Sequence, residues 1–206
     1  MQNKKKGLFI TFEGIEKSGK TTQSRLLYDK LIALGKDAIY LKDPGITELG
    51  EHIRKALLFG KNISIEAEVF LFAACRAQLV NEYIFPALKE DKIVICDRFS
   101  DSTFAYQGYG RSVNLSFLKK IDEFATKGIK PDLTFLFDFS FLEASERFSE
   151  DKDRMENENI NFHNRVRAGY LYLASMEPNR FFLLYPKFDK DKLHKIVLQK
   201  VLERNI

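Results

Sequence analysis

The segment Gly14–Thr21 reads Gly-Ile-Glu-Lys-Ser-Gly-Lys-Thr and fits the phosphate-loop pattern G-x-x-x-x-G-K-[S/T]. Glycines in such a loop let backbone N–H groups point at phosphate oxygens, and the next helix adds its positive N-terminus. The pattern assigns Lys20 to the β- and γ-phosphates and the Thr21 hydroxyl to Mg²⁺. The sequence therefore predicts a site for the triphosphate of ATP. Its candidate residues are Gly14, Ile15, Glu16, Lys17, Ser18, Gly19, Lys20 and Thr21.

Three further polar segments could hold a second substrate. Asp97–Arg98 directly follows the apolar run Ile93–Cys96, and Ser102–Gln107 comes shortly after it. Phe72 and Arg76 are four residues apart in a helical stretch and so share one face. Ligands of open α/β sheets bind at the carboxyl edge of the strands, which is where these segments would lie. On the residues alone, core packing for Phe72 and plain ion pairs for the charged residues stay open as alternatives.

Short apolar runs and longer helical stretches must position these groups. Strands are predicted at Leu8–Glu13, Ala38–Leu41, Ile93–Cys96, Leu133–Asp138 and Phe181–Leu184. Helices are predicted at Thr21–Leu34 with Gly35 after it, Ile65–Lys89 with Ser64 as cap and Pro86 as a bend or end, Asn159–Met176 and Lys190–Glu203. Strands that are apolar on both faces and alternate with helices are typical of a parallel sheet covered on both sides. We therefore expect an α/β, three-layer P-loop fold with a five-stranded parallel sheet.

Size and composition indicate one domain over residues 1–206, with 45% hydrophobic and 30% charged residues. The segment Ser149–Asn159 has almost no apolar content and is interpreted as a short lid, at about 149–159. The net charge of +4 is spread along the chain without a nucleic-acid reading motif, which argues against nucleic acid as a partner. No apolar stretch is long enough to span a membrane, so we expect a cytoplasmic protein without a membrane partner.

A phosphate loop alone names a superfamily, because GTPases, ATP-driven machines and small kinases share it. The chain has no Asn-Lys-x-Asp guanine-reading segment, which argues against a GTPase. Its 206 residues leave little room for mechanical apparatus beside the core. A small kinase is the main interpretation.

The segments together resemble thymidylate kinases, the enzymes that phosphorylate dTMP to dTDP. The stretch Asp97–Gly108 is similar to the most specific motif of that family. The other matching segments are Phe12–Gln23, Lys42–Gly45, Leu71–Gln78, Pro131–Thr134 and Asp153–Glu156. They occur in the family's order between about Leu8 and Ala174.

The resemblance implies a role for each acceptor-site residue. Phe72 would stack on thymine, Arg76 would bind a base carbonyl, and Gln107 would contact the thymine edge. Tyr106 would crowd the 2′ side of the sugar, and Glu16 would lie near the 3′-hydroxyl. The implied dTMP-binding set is Glu16, Phe72, Arg76, Arg98, Ser102, Tyr106 and Gln107. On the nucleotide side, Arg147 resembles an arginine that packs on the adenine of ATP or touches its phosphates.

The implied chemistry is positioning and charge stabilisation. Arg98 would hold the acceptor phosphate, and Asp97 would orient Mg²⁺ together with Thr21. Family members keep their extra catalytic cation either in the phosphate loop or in an arginine-rich lid. This chain has Lys17 in the loop and only Lys152 and Arg154 in the lid, so Lys17 is the candidate. The expected catalytic residues are Lys17, Lys20, Asp97 and Arg98.

Other interpretations stay open at this point. The acceptor could be another nucleoside monophosphate or a deoxynucleoside, and the chain could be an ATP-binding regulatory module without turnover. Asp43 and Ile46, in the acceptor-side loop, depart from the family's usual glutamate and glycine. The family commonly forms homodimers through helices beside the acceptor site, and the apolar content of Ile65–Leu88 is compatible with this.

Overall fold

The computed structural model describes residues 7–145, 153–185 and 189–204. Its strands are β1 (Phe9–Gly14), β2 (Ala38–Lys42), β3 (Ile93–Asp97), β4 (Leu133–Phe137) and β5 (Phe181–Leu184). They form a five-stranded sheet in the order β2-β3-β1-β4-β5, with every neighbouring pair parallel. The predicted α/β class and the five predicted strands are confirmed.

Helices fill most of the connections between strands. They are α1 (Lys20–Ala33), α2 (Glu48–Phe59), α3 (Ile65–Leu79), α4 (Phe85–Lys89), α5 (Ser100–Thr103), α6 (Leu115–Thr126), α7 (Phe141–Ser145), α8 (Ile160–Met176) and α9 (Lys190–Leu202). Two π-helical turns, Val80–Ile84 and Phe104–Gly110, follow α3 and α5. The sequence analysis predicted α1, α8 and α9 and one helix over α3 and α4, and it omitted α2, α5, α6 and α7.

Local chemistry sets several helix ends. The Ser64 hydroxyl accepts a hydrogen bond from the Ala67 N–H, which confirms the predicted cap of α3. Gly35 follows α1 with a φ of +74°, a conformation that glycine adopts without strain. Thr47 caps the unpredicted helix α2 in the same way, by accepting from the Gly50 N–H.

Pro86 does not end the helix that was predicted over Ile65–Lys89. The backbone widens into the π-helical turn just before it, where the Phe85 N–H donates to the Val80 carbonyl five residues earlier. Proline lacks an N–H and clashes with the carbonyl four residues before it, so the wider turn accommodates the ring. The helical path then continues to Lys89.

Both faces of the sheet are covered. In β3, Ile93 and Ile95 pack into a core shared with α1, α8 and α9, whereas Val94 and Cys96 pack into a second core shared with α3 and α4. This alternation gives the predicted three layers. The register aligns Asp97 with Phe12 on one side and with Lys42 on the other. The phosphate loop, Asp97 and the loop after β2 therefore meet at one sheet edge.

Of the predicted lid, residues 149–152 lie outside the described ranges, and 154–157 form a turn before α8. Within the part of the chain that the structure describes, no helix is long and apolar enough to cross a membrane.

Candidate active site

The phosphate loop connects β1 to α1 through two glycines with positive φ. Gly14 has a φ of +136°, and a Cβ atom there would lie 2.6 Å from the Phe137 carbonyl oxygen. Gly19 has a φ of +99° at the start of α1. The Ser18 hydroxyl donates to the Ile15 carbonyl at 2.9 Å and closes the loop on itself. Only glycine fits position 14, because both its conformation and its neighbour exclude a side chain.

Lys20 lies folded over this loop. Its ammonium donates to the Ile15 carbonyl and, at 3.2 Å, to the Ser18 hydroxyl. Burial, with a further contribution from the Arg98 guanidinium, lowers the pKa of Lys20 to about 7. A bound polyphosphate would favour the charged ammonium again, so this lysine is poised to respond to an anion.

Thr21 and Asp97 come from α1 and β3 and meet at the sheet edge. The Thr21 hydroxyl donates to Oδ2 of Asp97, and Asp97 is buried. Over residues 7–145, 153–185 and 189–204, no group of three or more His, Cys, Asp or Glu side chains is arranged to hold a metal ion. The Thr21 hydroxyl and the Asp97 carboxylate are oxygen ligands of the kind that a hard cation such as Mg²⁺ prefers.

Arg98 follows β3 with a φ of +70° and reaches back over the phosphate loop. Its Nη1 donates to the Gly14 carbonyl at 2.9 Å, to the Ser102 hydroxyl at 3.1 Å and to the Tyr170 hydroxyl at 3.2 Å. Its Nη2 donates to Oε1 of Glu16 at 3.0 Å. The guanidinium is held from several elements and is fixed in place beside the loop.

Glu13, near the end of β1, accepts hydrogen bonds from Ser102 and Tyr170, two of the residues that contact Arg98. Its fully buried carboxyl accepts from the Phe99 N–H at 2.7 Å, the Ser102 hydroxyl at 2.6 Å and the Tyr170 hydroxyl at 3.0 Å. Burial raises the pKa of Glu13 to about 7. Glu13 therefore supports the contacts of Arg98 and belongs to the site, although the sequence analysis placed it only in a strand.

Glu16 and Tyr106 form the wall next to Arg98. The Tyr106 hydroxyl lies 2.7 and 2.6 Å from the two carboxylate oxygens of Glu16. Burial alone would raise the pKa of Glu16, but Arg98 and Lys20 outweigh it and hold that pKa below its ordinary value. Glu16 is thus a carboxylate with a fixed orientation.

These groups surround one cavity of about 280 Å³. All seven residues of the expected acceptor site line it, together with four residues of the phosphate-transfer side. The first group is Glu16, Phe72, Arg76, Arg98, Ser102, Tyr106 and Gln107, and the second is Lys17, Lys20, Thr21 and Asp97. A second cavity of about 350 Å³ shares Lys17, Lys20 and Thr21 and extends over Gly19 and Thr22.

A family model described as thymidylate kinase matches residues 12–197, which is most of the chain. The chain belongs to the thymidylate kinase family. It is a kinase, so the predicted family and the interpretation as a kinase are confirmed.

Individual thymidylate kinases match over nearly the whole chain. One from Pelotomaculum thermopropionicum is 44% identical over 204 residues, covering 96% of this chain and 92% of its own. One from Sulfurihydrogenibium is 41% identical, covering 97% of this chain and 99% of its own. The crystal structure of a thymidylate kinase from Ehrlichia chaffeensis superposes with a TM-score of 0.80 at 32% identity, covering 95% of this chain and 98% of its own.

Most of the expected site residues line the first cavity, and a few do not. Gly14, Ile15 and Ser18 shape the loop backbone and do not line that cavity. Arg147, the expected adenine contact, lies outside the described residues, as does Lys152.

Arg76 is buried and not part of a surface ion pair. Its Nε donates to Asp43 at 2.7 Å, Nη1 to Thr103 at 2.8 Å and Asp122 at 3.2 Å, and Nη2 to the Phe99 carbonyl at 3.2 Å. One N–H of Nη2 is left over from these contacts. The aspartate that replaces the family's usual glutamate at position 43 therefore pairs directly with the expected base-binding arginine.

Several lining residues were given no role in the sequence analysis, among them Lys42, which it named only within the matching segment Lys42–Gly45. Lys42 ends β2 beside Asp97, and burial, with Arg54 second, lowers its pKa. Arg54 lies on α2 and donates to the Pro44 carbonyl at 2.8 Å. The rule that strand ends meet at one edge would have found Lys42, whereas Arg54 required helix α2 to be recognised.

The described part of the lid approaches the same cavity. Arg154 donates to the Leu57 carbonyl at 2.9 Å and to Glu68 at 2.6 Å. Glu156 lies 3.5 Å from the ammonium of Lys17. The lid arginine is thus engaged on the acceptor side, while the loop lysine faces both the lid and the cavity.

Proposed function

We propose that this chain transfers the γ-phosphoryl group of Mg-ATP to the phosphate of dTMP, giving ADP and dTDP, in the synthesis of dTTP. One observation carries the proposal: a single cavity of about 280 Å³ is lined by Lys20 and Thr21 from the phosphate loop and by Arg98, Phe72 and Gln107 from the acceptor side. A pyrimidine held by an aromatic face and a few directed polar groups fits such a lining.

The reaction requires two anions to approach each other. In the proposed complex the triphosphate lies on the phosphate loop, and Lys20 returns to its charged form against the β- and γ-phosphates. Arg98 holds the acceptor phosphate through a guanidinium that Glu16 and the Gly14 carbonyl already orient. A phosphate oxygen attacks the γ-phosphorus while the bond to the bridging oxygen of ADP breaks. The attacking oxygen is already ionised near neutral pH, so positioning and charge neutralisation supply the catalysis.

The Thr21 hydroxyl and the Asp97 carboxylate fit Mg²⁺, which prefers oxygen ligands and keeps its remaining positions for phosphates and water. When bound, Mg²⁺ would neutralise charge on the transferred group. The contact between Thr21 and Asp97 places both of these oxygen ligands beside the phosphate loop. We expect Arg147 to pack on the adenine of ATP or to touch its phosphates.

The activity is tested by ADP release from Mg-ATP with dTMP, dUMP, dCMP, dGMP or thymidine as acceptor. We expect dTMP to be used best and thymidine, which lacks the phosphate that Arg98 would hold, to give no release above the blank. No release with dTMP would remove the proposal, and a preference for another acceptor would identify a different small kinase.

Lys17 is proposed to supply transition-state charge from the loop. Lys17 lines both cavities and lies 3.5 Å from Glu156, whereas the lid residue Arg154 lines neither of these two cavities. Lys17→Ala is expected to lower kcat about a hundredfold, and the lid variant Lys152→Ala less than about threefold. Single-turnover phosphoryl transfer measured on both variants decides it. Slow transfer in the lid variant alone would place the charge in the lid instead.

A homodimer is proposed through α3 and α6. Phe70 and Phe117 are about half exposed on these helices, with their rings edge to face at 6.4 Å. Beside them lies an apolar groove of about 350 Å³ that also includes Ile65 and Val113. An exposed apolar surface of this kind suits a second copy. We expect Phe117→Glu to shift micromolar protein toward monomer in sedimentation, and the exposed control Met176→Glu on α8 to leave the dimer intact. A wild-type monomer would overturn this proposal.

A further inference from the structure

Glu68 is a buried acid on the face of α3 that lines the base side of the cavity. It precedes Phe72 and Arg76 by four and eight residues, so the three side chains share one helix face. Its exposed fraction is 1%, and it has no role in the chemistry proposed above. A carboxylate so deeply buried needs charged and hydrogen-bonded partners.

Those partners are two arginines and one amide. Arg154 donates to Oε2 of Glu68 at 2.6 Å, and Arg111 lies at 3.5 Å from each oxygen. The Gln107 amide donates from Nε2 to Oε1 at 2.7 Å. A carboxylate paired with guanidinium groups only accepts hydrogen bonds, so the amide must turn its NH₂ toward Glu68. The Glu68 carboxylate therefore determines which end of the Gln107 amide faces it.

The other polar atom of the Gln107 amide group is its carbonyl oxygen, Oε1. Gln107 lines the cavity, and among the described residues its Oε1 has no hydrogen-bond partner. Glu68 thus holds the amide so that Gln107 presents its Oε1 acceptor to a ligand.

We infer that Glu68 is a positioning residue for base selectivity: it fixes the polarity of the Gln107 amide so that the site reads an N3–H donor. This inference rests on the proposed function. Thymine and uracil carry a proton on N3, whereas N3 of cytosine is an acceptor. A fixed acceptor therefore favours thymine and leaves two acceptors facing each other when cytosine binds. Sites built on such a match reject the mismatched analogue strongly.

The test compares dTMP with 5-methyl-dCMP, which has the same methyl group, sugar and phosphate. The wild-type kcat/KM should favour dTMP by at least about a hundredfold, and equal use of the two would overturn the inference. In Glu68→Gln the neutral amide can donate or accept, so Gln107 can turn over. The preference for dTMP should then fall by at least about tenfold, the equivalent of one hydrogen bond.

Loss of the ion pairs alone must be separated from loss of amide orientation. Arg154→Ala removes an ion pair of Glu68 and leaves the bond to Gln107, so the preference should stay within about twofold of wild type even if both rates fall. Glu68→Asp retains an acceptor and should retain more of the preference than Glu68→Gln. In a Gln107→Leu background, Glu68→Gln should no longer change the preference.

Each outcome is decisive. An unchanged preference in folded Glu68→Gln, or the same loss in Arg154→Ala, overturns the inference while leaving the proposed function intact. Absence of dTMP turnover in the wild type removes the proposed function itself. If Glu68→Gln does not fold, Glu68→Asp still tests the inference, because any loss of preference that it causes must disappear in the Gln107→Leu background.

Discussion

Replacing Arg98 with alanine is expected to lower kcat/KM for dTMP by roughly a thousandfold. The proposed acceptor phosphate would lose its charged donor next to the carboxylate of Glu16, which lies 3.0 Å from the guanidinium. Without that positive charge, Glu16 and the incoming phosphate repel each other. Steady-state kinetics should show the loss in both kcat and KM, because the guanidinium would bind the acceptor and also stabilise the developing charge.

Arg98→Lys is the matched control for charge without the planar fork. It should recover part of the binding and little of the turnover, since an ammonium cannot donate in parallel to a phosphate while also reaching Ser102 and Tyr170. Circular dichroism and thermal melting must show both variants folded, because Glu13 and Glu16 lose a compensating charge. An Arg98→Ala enzyme within about tenfold of wild type would mean that another group holds the acceptor phosphate.

The sequence located the phosphate loop and Asp97–Arg98 because their chemistry is local. A glycine-rich turn between a strand and a helix, and polar residues right after an apolar strand, are visible without knowledge of the tertiary fold. The structure places both at the same edge, in register through β1 and β3. The four-residue spacing of Phe72 and Arg76 is also local, whereas their expected roles came from the family resemblance.

The supporting residues could not be found in this way. Glu13 lies within a buried strand and is recognisable only when Ser102 and Tyr170 converge on it from α5 and α8. Helix α2 was missed although Leu49, Ile53 and Leu57 recur at helical spacing in the sequence, and Arg54 was missed with it. Glu68 shares the spacing of Phe72 and Arg76, but nothing in the sequence shows that Arg154 and Gln107 reach it. Tertiary contacts determine these roles.

Lys20→Met is expected to reduce turnover about a thousandfold and, at the same time, to stabilise the protein without nucleotide. In the free enzyme the ammonium is buried beside Arg98, which is why its pKa is lowered to about 7. Removing that charge below pH 7 should raise the free energy of unfolding by on the order of 2 kcal/mol. The lysine that would bind the triphosphate is thus expected to lower the stability of the protein without nucleotide.

The lowered pKa of Lys20 also determines whether the stability of the protein rises or falls with pH. A lysine whose folded pKa is lowered releases its proton at about pH 7 in the native state, whereas the unfolded chain keeps it to about pH 10. The unfolded state therefore binds more protons between these values, and wild-type stability should rise with pH across that window. Lys20→Met lacks this rise, so its advantage should be constant below pH 7 and should shrink as the pH increases to about 9.

Urea unfolding without nucleotide at several pH values between about 6 and 9 measures the difference. The control is Lys119→Met, at a lysine on α6 whose side chain is 68% exposed, and it should change neither activity nor the pH dependence. A Lys20→Met protein less stable than wild type at every pH would contradict the argument. The hydrogen bonds of the ammonium to Ile15 and Ser18 would then outweigh its desolvation. If instead the advantage persists unchanged at pH 9, the buried lysine keeps its proton there and its pKa is not lowered.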